Sequence, residues 1–283
     1  MVAYLRDQGE YDVYEADILA GTGDRYRTVD VRNAGEVSEL AAWARPDITF
    51  NFAGVLGRVV AEACEWSALD VNVRGAMNVA RYCSAGHLVH VSSSEAYGPH
   101  EGKAREDQEL RPNNWYGVSK KLGEEVVRYW TQGRATIVRP FMFYHEDEVA
   151  GAHRSAMIRM ATAMWECEPF EIHEGARRGW LHYDDAIHFI AECGRRRIEG
   201  PINFGHPDIR PIADLVGLMT RHFGDYGAAR NFTTVPIPRG MTLEKQPDLS
   251  RQMGHDLMPA VSLEAGVARV CRRIIERADG RAA

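Results

Sequence analysis

The chain has 283 residues, 45% hydrophobic and 26% charged, enough to bury a sizeable core in one large domain or two smaller ones. Its net charge of -6 and the lack of any Lys/Arg run argue against a nucleic-acid backbone or an anionic membrane surface as partner. No apolar run approaches the roughly 18 residues of a membrane span, the first residues lack the layout of a signal peptide, and the scattered Cys64, Cys83, Cys167, Cys193 and Cys271 show no metal spacing; the expectation is a cytoplasmic protein with free thiols and no metal.

Residues 2–8 read as the end of a helix closed by Gly9, and residues 12–18 as a strand. A second strand over 26–31 precedes a helix over 34–45 that Pro46 stops, and residues 48–54 form the next apolar strand. In the helix that follows, Leu69, Val73, Met77 and Ala80 recur three and four apart, the pattern of a face packed on a sheet. Residues 88–91 are a strand running into Ser92-Ser93-Ser94-Glu95-Ala96-Tyr97-Gly98. After a polar loop comes a helix over 115–130, with Val118, Leu122, Val126 and Trp130 at successive i+4 steps, and then a strand over 135–144. Strict alternation of strand and helix predicts a parallel sheet covered by helices on both faces.

Beyond Tyr144 the order loosens. A helix over 155–165 and a strand over 170–173 precede the run Arg177-Arg178-Gly-Trp-Leu-His182 and a helix that Asp184 or Asp185 can cap. A strand over 202–205, a helix over 212–223 and a strand over 233–237 lead to a closing helix. Ser262 is its N-cap, and Leu263, Val267, Val270 and Ile274 form one stripe. The expected division is a nucleotide-binding domain over 1–144 and a substrate domain over 145–283, with the 184–196 helix packing back on the first.

Tyr116 and Lys120 lie one turn apart on one helix face. A phenol with a pKa near 10 is a poor base at neutral pH, and a cation one turn away favours the phenolate. A hydroxyl such as Ser93, at the end of the preceding strand, can hold the reacting oxygen. The trio suits removal of a proton from an alcohol as hydride leaves its carbon.

These features together resemble the extended short-chain dehydrogenase/reductase family, in its NAD-dependent nucleotide-sugar epimerase and dehydratase branch. The residues that carry the resemblance are Ala53-Gly54, Asn72-Val-Arg-Gly75, the SSSEAYG run, Tyr116-Gly-Val-Ser-Lys120, Arg139-Pro-Phe141, Arg178-Gly-Trp-Leu-His-Tyr-Asp-Asp185, Ile202-Asn-Phe-Gly205, Asp248-Leu-Ser-Arg251 and Ser262-Leu-Glu-Ala-Gly266. The resemblance implies a Rossmann-like doubly wound parallel sheet with a smaller mixed α/β substrate domain. It implies NAD as cofactor, a nucleotide sugar as substrate, and transient oxidation at sugar C4.

By the same resemblance Tyr116 is the general base, Lys120 binds the nicotinamide ribose and depresses the tyrosine pKa, and Ser93 and Ser94 meet the sugar. Asp17 accepts the adenosine ribose hydroxyls, with no adjacent Arg for a 2'-phosphate, which favours NAD over NADP. Asp30 and Val31 contact adenine; Phe52, Ala53, Gly54, Asn72 and Phe141 line the rest of the cofactor. Arg178 and Arg251 pair with the substrate diphosphate. Glu95 stands where dehydratases and decarboxylases of the family carry a second base, which takes the C5 proton after C4 oxidation. The helix after Asn72 and the one bearing Tyr116 often pair into a homodimer in this family, and Tyr82 and Tyr129 on their other faces are compatible with that.

Three departures qualify the resemblance. The glycine-rich strand-turn-helix expected before Val2, whose helix N-terminus receives the pyrophosphate, is missing. Met142 replaces an Asn, and His145-Glu146-Asp147 replaces Gly-Pro. The first motivates a rival reading, a non-enzymatic binding or scaffolding homologue that lost its cofactor cradle. It also motivates a mundane one, an upstream segment of roughly 15–20 residues that completes the βαβ unit.

Overall fold

The computed structural model describes residues 1–151, 155–224, 231–238 and 241–280. They fall into two compact units, one of residues 1–98, 109–140 and 187–202, the other of residues 99–108, 141–186 and 203–283. Among the described residues no helix is long and apolar enough to cross a membrane.

In the first unit, helix α1 (Val2–Gln8) closes where Gly9 takes a φ of 69° and returns its N–H to the Arg6 carbonyl, a conformation glycine adopts without steric cost. Strands β1 (Glu15–Asp17) and β2 (Tyr26–Thr28) pair in parallel as a two-stranded sheet. Asn33 caps α2 (Ala34–Ala44), its side chain accepting the Gly35 and Glu36 N–H groups. Strand β3 (Ile48–Asn51) is followed by α3 (Arg58–Ala63), α4 (Glu65–Leu69), a π-helical turn Asp70–Gly75 and α5 (Ala76–Tyr82). Strand β4 (His87–Val91) pairs in parallel with β3 and runs into a 3-10 turn, Ser94–Tyr97.

The helix expected after β3 is therefore broken, and the π turn shifts its phase. Ala68, Asn72, Ala76, Val79 and Ala80 are buried, whereas Leu69, Val73 and Met77 are half-buried. A turn closed by i to i+5 bonds holds more than 3.6 residues. The stripe counted at helical spacing is thereby rotated off the sheet, with only Ala80 fully inside.

Strand β5 (Lys103–Ala104) belongs to the second unit, and the chain returns to the first through α6 (Trp115–Thr131) and β6 (Thr136–Pro140), which pairs in parallel with β4, Val89 opposite Thr136. Residues 135–144 do not form one strand. Met142, at φ 23°, separates β6 from β7 (Phe143–Tyr144), and the two lie in different sheets.

From β7 the second unit takes over with α7 (Ala156–Trp165), β8 (Phe170–His173), β9 (Arg177–Gly179) and β10 (Leu181–His182). Helix α8 (Tyr183–Arg195) leads back to the first unit, where residues 200–202 of β11 (Gly200–Phe204) complete the sheet order β11-β6-β4-β3. The parallel β1/β2, β3/β4 and β4/β6 pairs and the helices between them are the α/β architecture expected.

The second unit ends with β12 (Ile209–Pro211), α9 (Ile212–Phe223), β13 (Phe232–Val235), β14 (Glu244–Pro247), α10 (Ser250–Gly254) and α11 (Leu263–Ala278). Its sheets are β12-β9-β14-β5, β13-β8 and β10-β7. Met157, Trp180, Met219, Phe223, Leu263 and Val267 belong to its core, and Ser262 caps α11 by accepting the Ala265 N–H at 3.3 Å.

Candidate active site

Helix α6 carries the site, and its start is fixed by Asn114. The Asn114 side chain accepts the Gly117 N–H at 2.9 Å and donates to Glu95 Oε2 at 3.1 Å, which ties the helix N-terminus to the 3-10 turn. The apolar i+4 stripe does not point inward. Val118 and Val126 are half-buried, and Leu122 and Trp130 are 40% and 38% exposed. The buried face holds Tyr116, Ser119, Lys120 and Glu124. Two glycines allow this face to come close: a Cβ at Gly117 would run into the Glu95 carbonyl oxygen, and one at Gly123 would sit 2.5 Å from the Asn72 carbonyl oxygen.

Ser93, Tyr116 and Lys120 meet as the sequence suggests, with different electrostatics. The Ser93 hydroxyl bonds the Tyr116 phenol and also accepts the Glu95 N–H at 3.2 Å. Burial pushes the Tyr116 pKa up to about 12, the Ser93 bond draws it down, and the Glu95 charge raises it further. Lys120 Nζ donates to the Val91 carbonyl at 2.9 Å and lies 5.9 Å from the Tyr116 ring centroid. The phenol pKa is thus raised by burial instead of depressed as expected. Lys120 itself is pushed down to about 8 by burial, with Glu124 pulling the other way.

The π turn places Asn72 beside this pair. Asn72 Oδ1 accepts the Val55 N–H at 2.8 Å, and its Nδ2 donates to Ser119 Oγ at 2.8 Å, joining the turn after β3 to α6. Gly54 leaves the floor open: a Cβ there would lie 3.0 Å from Asn72 Oδ1 and 3.2 Å from Lys120 Nζ. That cradle beside a buried ammonium fits a ribose hydroxyl and so fits the nicotinamide half of NAD.

The remaining expected residues divide between the two units. Asp17 is exposed at the end of β1, its Oδ1 accepting the Leu19 N–H at 3.0 Å. Asp30 is forked by Arg32 at 2.6 and 2.9 Å, a hydrogen bond that lowers its pKa, and the Val31 carbonyl accepts from Asn78. Phe52 and Ala53 are exposed, while Ser94 is buried and Glu95 half-buried. In the second unit Phe141 is buried, with its N–H on the Phe204 carbonyl at 2.7 Å. Arg178 is buried and donates to the backbone carbonyls of Arg177, Thr242 and Leu243 at 2.6 to 3.0 Å, while Arg251 is half-buried on α10.

The sequence assigned no role to Asn114, Ser119, Glu124 or Arg139, although Ser119 and Arg139 lie within motifs that carry the resemblance. The signal for Glu124 was its place four residues after Lys120, on the same face. His145 and Glu146, known from the sequence only as a departure from Gly-Pro, meet His182, which is fully buried with Nε2 2.7 Å from Glu146 Oε2. The Nδ1 atoms of His145 and His182 accept the Asp147 and Asp184 N–H groups at 3.1 and 3.2 Å. The same Nδ1 atoms lie 3.8 and 3.4 Å from the Asp147 and Asp184 carboxylates, and the nearest donor atoms of His145, Glu146 and His182 lie within 4.8 Å of one another.

The family model described as "NAD dependent epimerase/dehydratase family" matches residues 1–203. Among curated proteins the chain is similar to UDP-glucose 4-epimerase 2 of Oryza sativa subsp. japonica, 33% identical over 137 residues, 45% of this chain and 33% of that protein. The chain spans about a third of the length of the curated relatives it matches. Among solved structures, the UDP-glucose 4-epimerase of Thermus thermophilus complexed with NAD superposes with a TM-score of 0.83 at 20% identity, covering 97% of this chain and 94% of that one. Bacillus cereus UDP-glucuronic acid 4-epimerase, complexed with UDP-glucuronic acid and NAD, gives 0.81 at 21% identity, covering 98% and 95%.

Proposed function

Because the chain belongs to the NAD dependent epimerase/dehydratase family, we propose that it modifies a nucleotide-linked sugar through transient oxidation at C4, with Tyr116 as the base. NAD is the cofactor of that family, and when bound it supplies the hydride acceptor for C4. The observation that carries the reading is the Ser93, Tyr116 and Lys120 cluster on the buried face of α6, bordered by the Gly54 and Asn72 cradle.

In this reading Lys120 and Asn72 hold the nicotinamide ribose against Gly54, Phe52 and Ala53 border it, and Asp17, Asp30 and Val31 receive the adenosine end. By the family resemblance Phe141 is a further cofactor residue. Ser93 and Ser94 orient the sugar, and Tyr116 takes the proton of the C4 hydroxyl. A phenol near pKa 12 needs help to do so, and Lys120, cationic below about pH 8, is the group on this chain that supplies it. Arg251 and Arg178 meet the diphosphate, Arg178 exchanging at least one backbone carbonyl to do so.

A second reading rests on Glu95, whose carboxylate is held by Asn114 and whose charge reaches Tyr116. After C4 oxidation it would remove the C5 proton as water leaves C6, and the 5,6-alkene so formed, on taking back the C4 hydride at C6 and a proton at C5, would become a 4-keto-6-deoxy sugar instead of a C4 epimer. Leu122, Tyr129 and Trp130, exposed on α6, favour a homodimer through that stripe.

The test is product analysis by NMR after incubation with NAD and a panel of nucleotide sugars. An epimer or a 4-keto product, with turnover lowered by about 10²–10⁴ in Tyr116→Phe and NAD binding retained by calorimetry, is expected. No product from the unaltered protein, with Tyr116→Phe indistinguishable from it, rejects the reading.

A further inference from the structure

The 92–97 segment that presents Ser93 and Glu95 is clamped at both ends by one buried ion pair. Ser92 Oγ donates to Glu124 Oε1 at 2.6 Å at its start, and at its end Arg139 donates to the Tyr97 hydroxyl at 2.9 Å, the guanidinium lying 4.8 Å from that ring. Arg139 and Glu124 are joined by two parallel bonds, Nε to Oε1 at 2.9 Å and an Nη to Oε2 at 2.7 Å, with both side chains at most 1% exposed. Arg128 adds a second donor to Oε2 at 2.8 Å. Glu124 thus faces β4 through Ser92 and β6 through Arg139, from one turn beyond Lys120 on α6.

We propose that Glu124 is a positioning residue for the Tyr116 and Lys120 pair, holding the 92–97 turn in register with α6 through Ser92 and Arg139 and keeping a negative charge one turn from the Lys120 ammonium. The proposal rests on the reading of Tyr116 and Lys120 as the reacting pair. Burial opposes the charges of both cations, and Glu124 restores both: it keeps Lys120 from falling further below its ordinary value and holds Arg139 more firmly protonated than a free guanidinium. The other titratable neighbours are Tyr116 on α6 and His90 on β4, and His90 is kept neutral by its burial and by Lys120. Arg128 and Arg139 are both directed onto Glu124.

The chain contains four lysines, Lys103, Lys120, Lys121 and Lys245, so lysine labelled with ¹³C at Cε gives four signals, and Lys120→Met assigns the one of interest. The titration of that signal is read without turnover and fails independently of the nucleotide-sugar assignment. Glu124→Gln leaves Arg139 buried beside a neutral amide and can fail to fold. The double variant Glu124→Leu/Arg139→Met replaces the pair with apolar groups of similar size, a change that buried ion pairs tolerate.

In the folded double variant the Lys120 midpoint is expected to fall by about one unit or more, a tenfold change in the lysine protonation constant. On the best substrate of the panel, kcat is expected to drop at least tenfold with KM within about threefold. A Lys120 midpoint that stays in place in the folded variant overturns the proposal, and so does a midpoint that moves while kcat does not.

Discussion

Gly123 and Gly217 both sit inside helices, and alanine in place of each should shift stability in opposite directions. In an exposed helix interior the change is worth about 1 kcal/mol in favour of alanine. Gly217, exposed on α9, has nothing within 4 Å of an added Cβ, so Gly217→Ala should gain up to about that amount. At Gly123 the added carbon would lie 2.5 Å from the Asn72 carbonyl oxygen, a backbone atom of the π turn. Reaching an ordinary C···O distance of roughly 3.3 Å requires about 0.8 Å of separation between α6 and that turn. Overpacking of this kind costs about 1–3 kcal/mol, so after the propensity gain Gly123→Ala should lose up to about 2 kcal/mol and fall about 1–3 kcal/mol below Gly217→Ala. Urea unfolding of both variants, followed through the transition of the unit that carries each, measures the difference directly. If both substitutions stabilise, or differ by less than about 0.5 kcal/mol, α6 does not lie on the π turn as described.

Other expectations follow from buried groups. His90 is driven down to about 3 by burial and by Lys120; the unfolded chain takes up this proton first, so its contribution is complete above pH 6.5 and is lost as pH falls from 6.5 toward 3. At 1.36 kcal/mol per unit the loss by pH 5 is about 2 kcal/mol, and His90→Gln, neutral throughout, should flatten the urea midpoint between pH 7 and 5 relative to the unaltered chain. Arg178→Lys removes the fork that grips Thr242 and Leu243 and should cost about 1.5–3 kcal/mol; unchanged stability with a KM raised tenfold would instead assign this side chain to the substrate. Leu122→Glu with Tyr129→Glu places charge on the exposed stripe of α6. It should leave the chain folded and, by light scattering, monomeric, and a persisting dimer excludes that stripe as the interface.

Much of the fold was legible because its signals are local: Gly9 ends α1 and Ser262 caps α11, and the alternation of strands and helices in the first unit gives the parallel order. The phase of the helix before β4 was not legible, because a π turn leaves no mark that a 3.6-residue count can detect. The face of α6 was misleading for the opposite reason: its apolar residues follow the rule, but the interior needs Tyr116, Lys120 and Glu124, whose partners Ser93, Val91 and Arg139 come from distant strands and turns. The Ser93, Tyr116 and Lys120 set could be read from spacing. The direction of the Tyr116 shift could not, since burial belongs to the folded state alone.

In the proposed function a nucleotide-linked sugar would be oxidised at C4 with NAD as hydride acceptor and Tyr116 as the base that takes the C4 hydroxyl proton. The most direct measurement follows deuterium placed at C4 of the sugar during turnover with NAD. Transient oxidation predicts a slowed conversion of the deuterated sugar, a primary isotope effect, with no such conversion in Tyr116→Phe. A product formed at the same rate from labelled and unlabelled sugar in single-turnover experiments, or formed equally well by Tyr116→Phe, would contradict it.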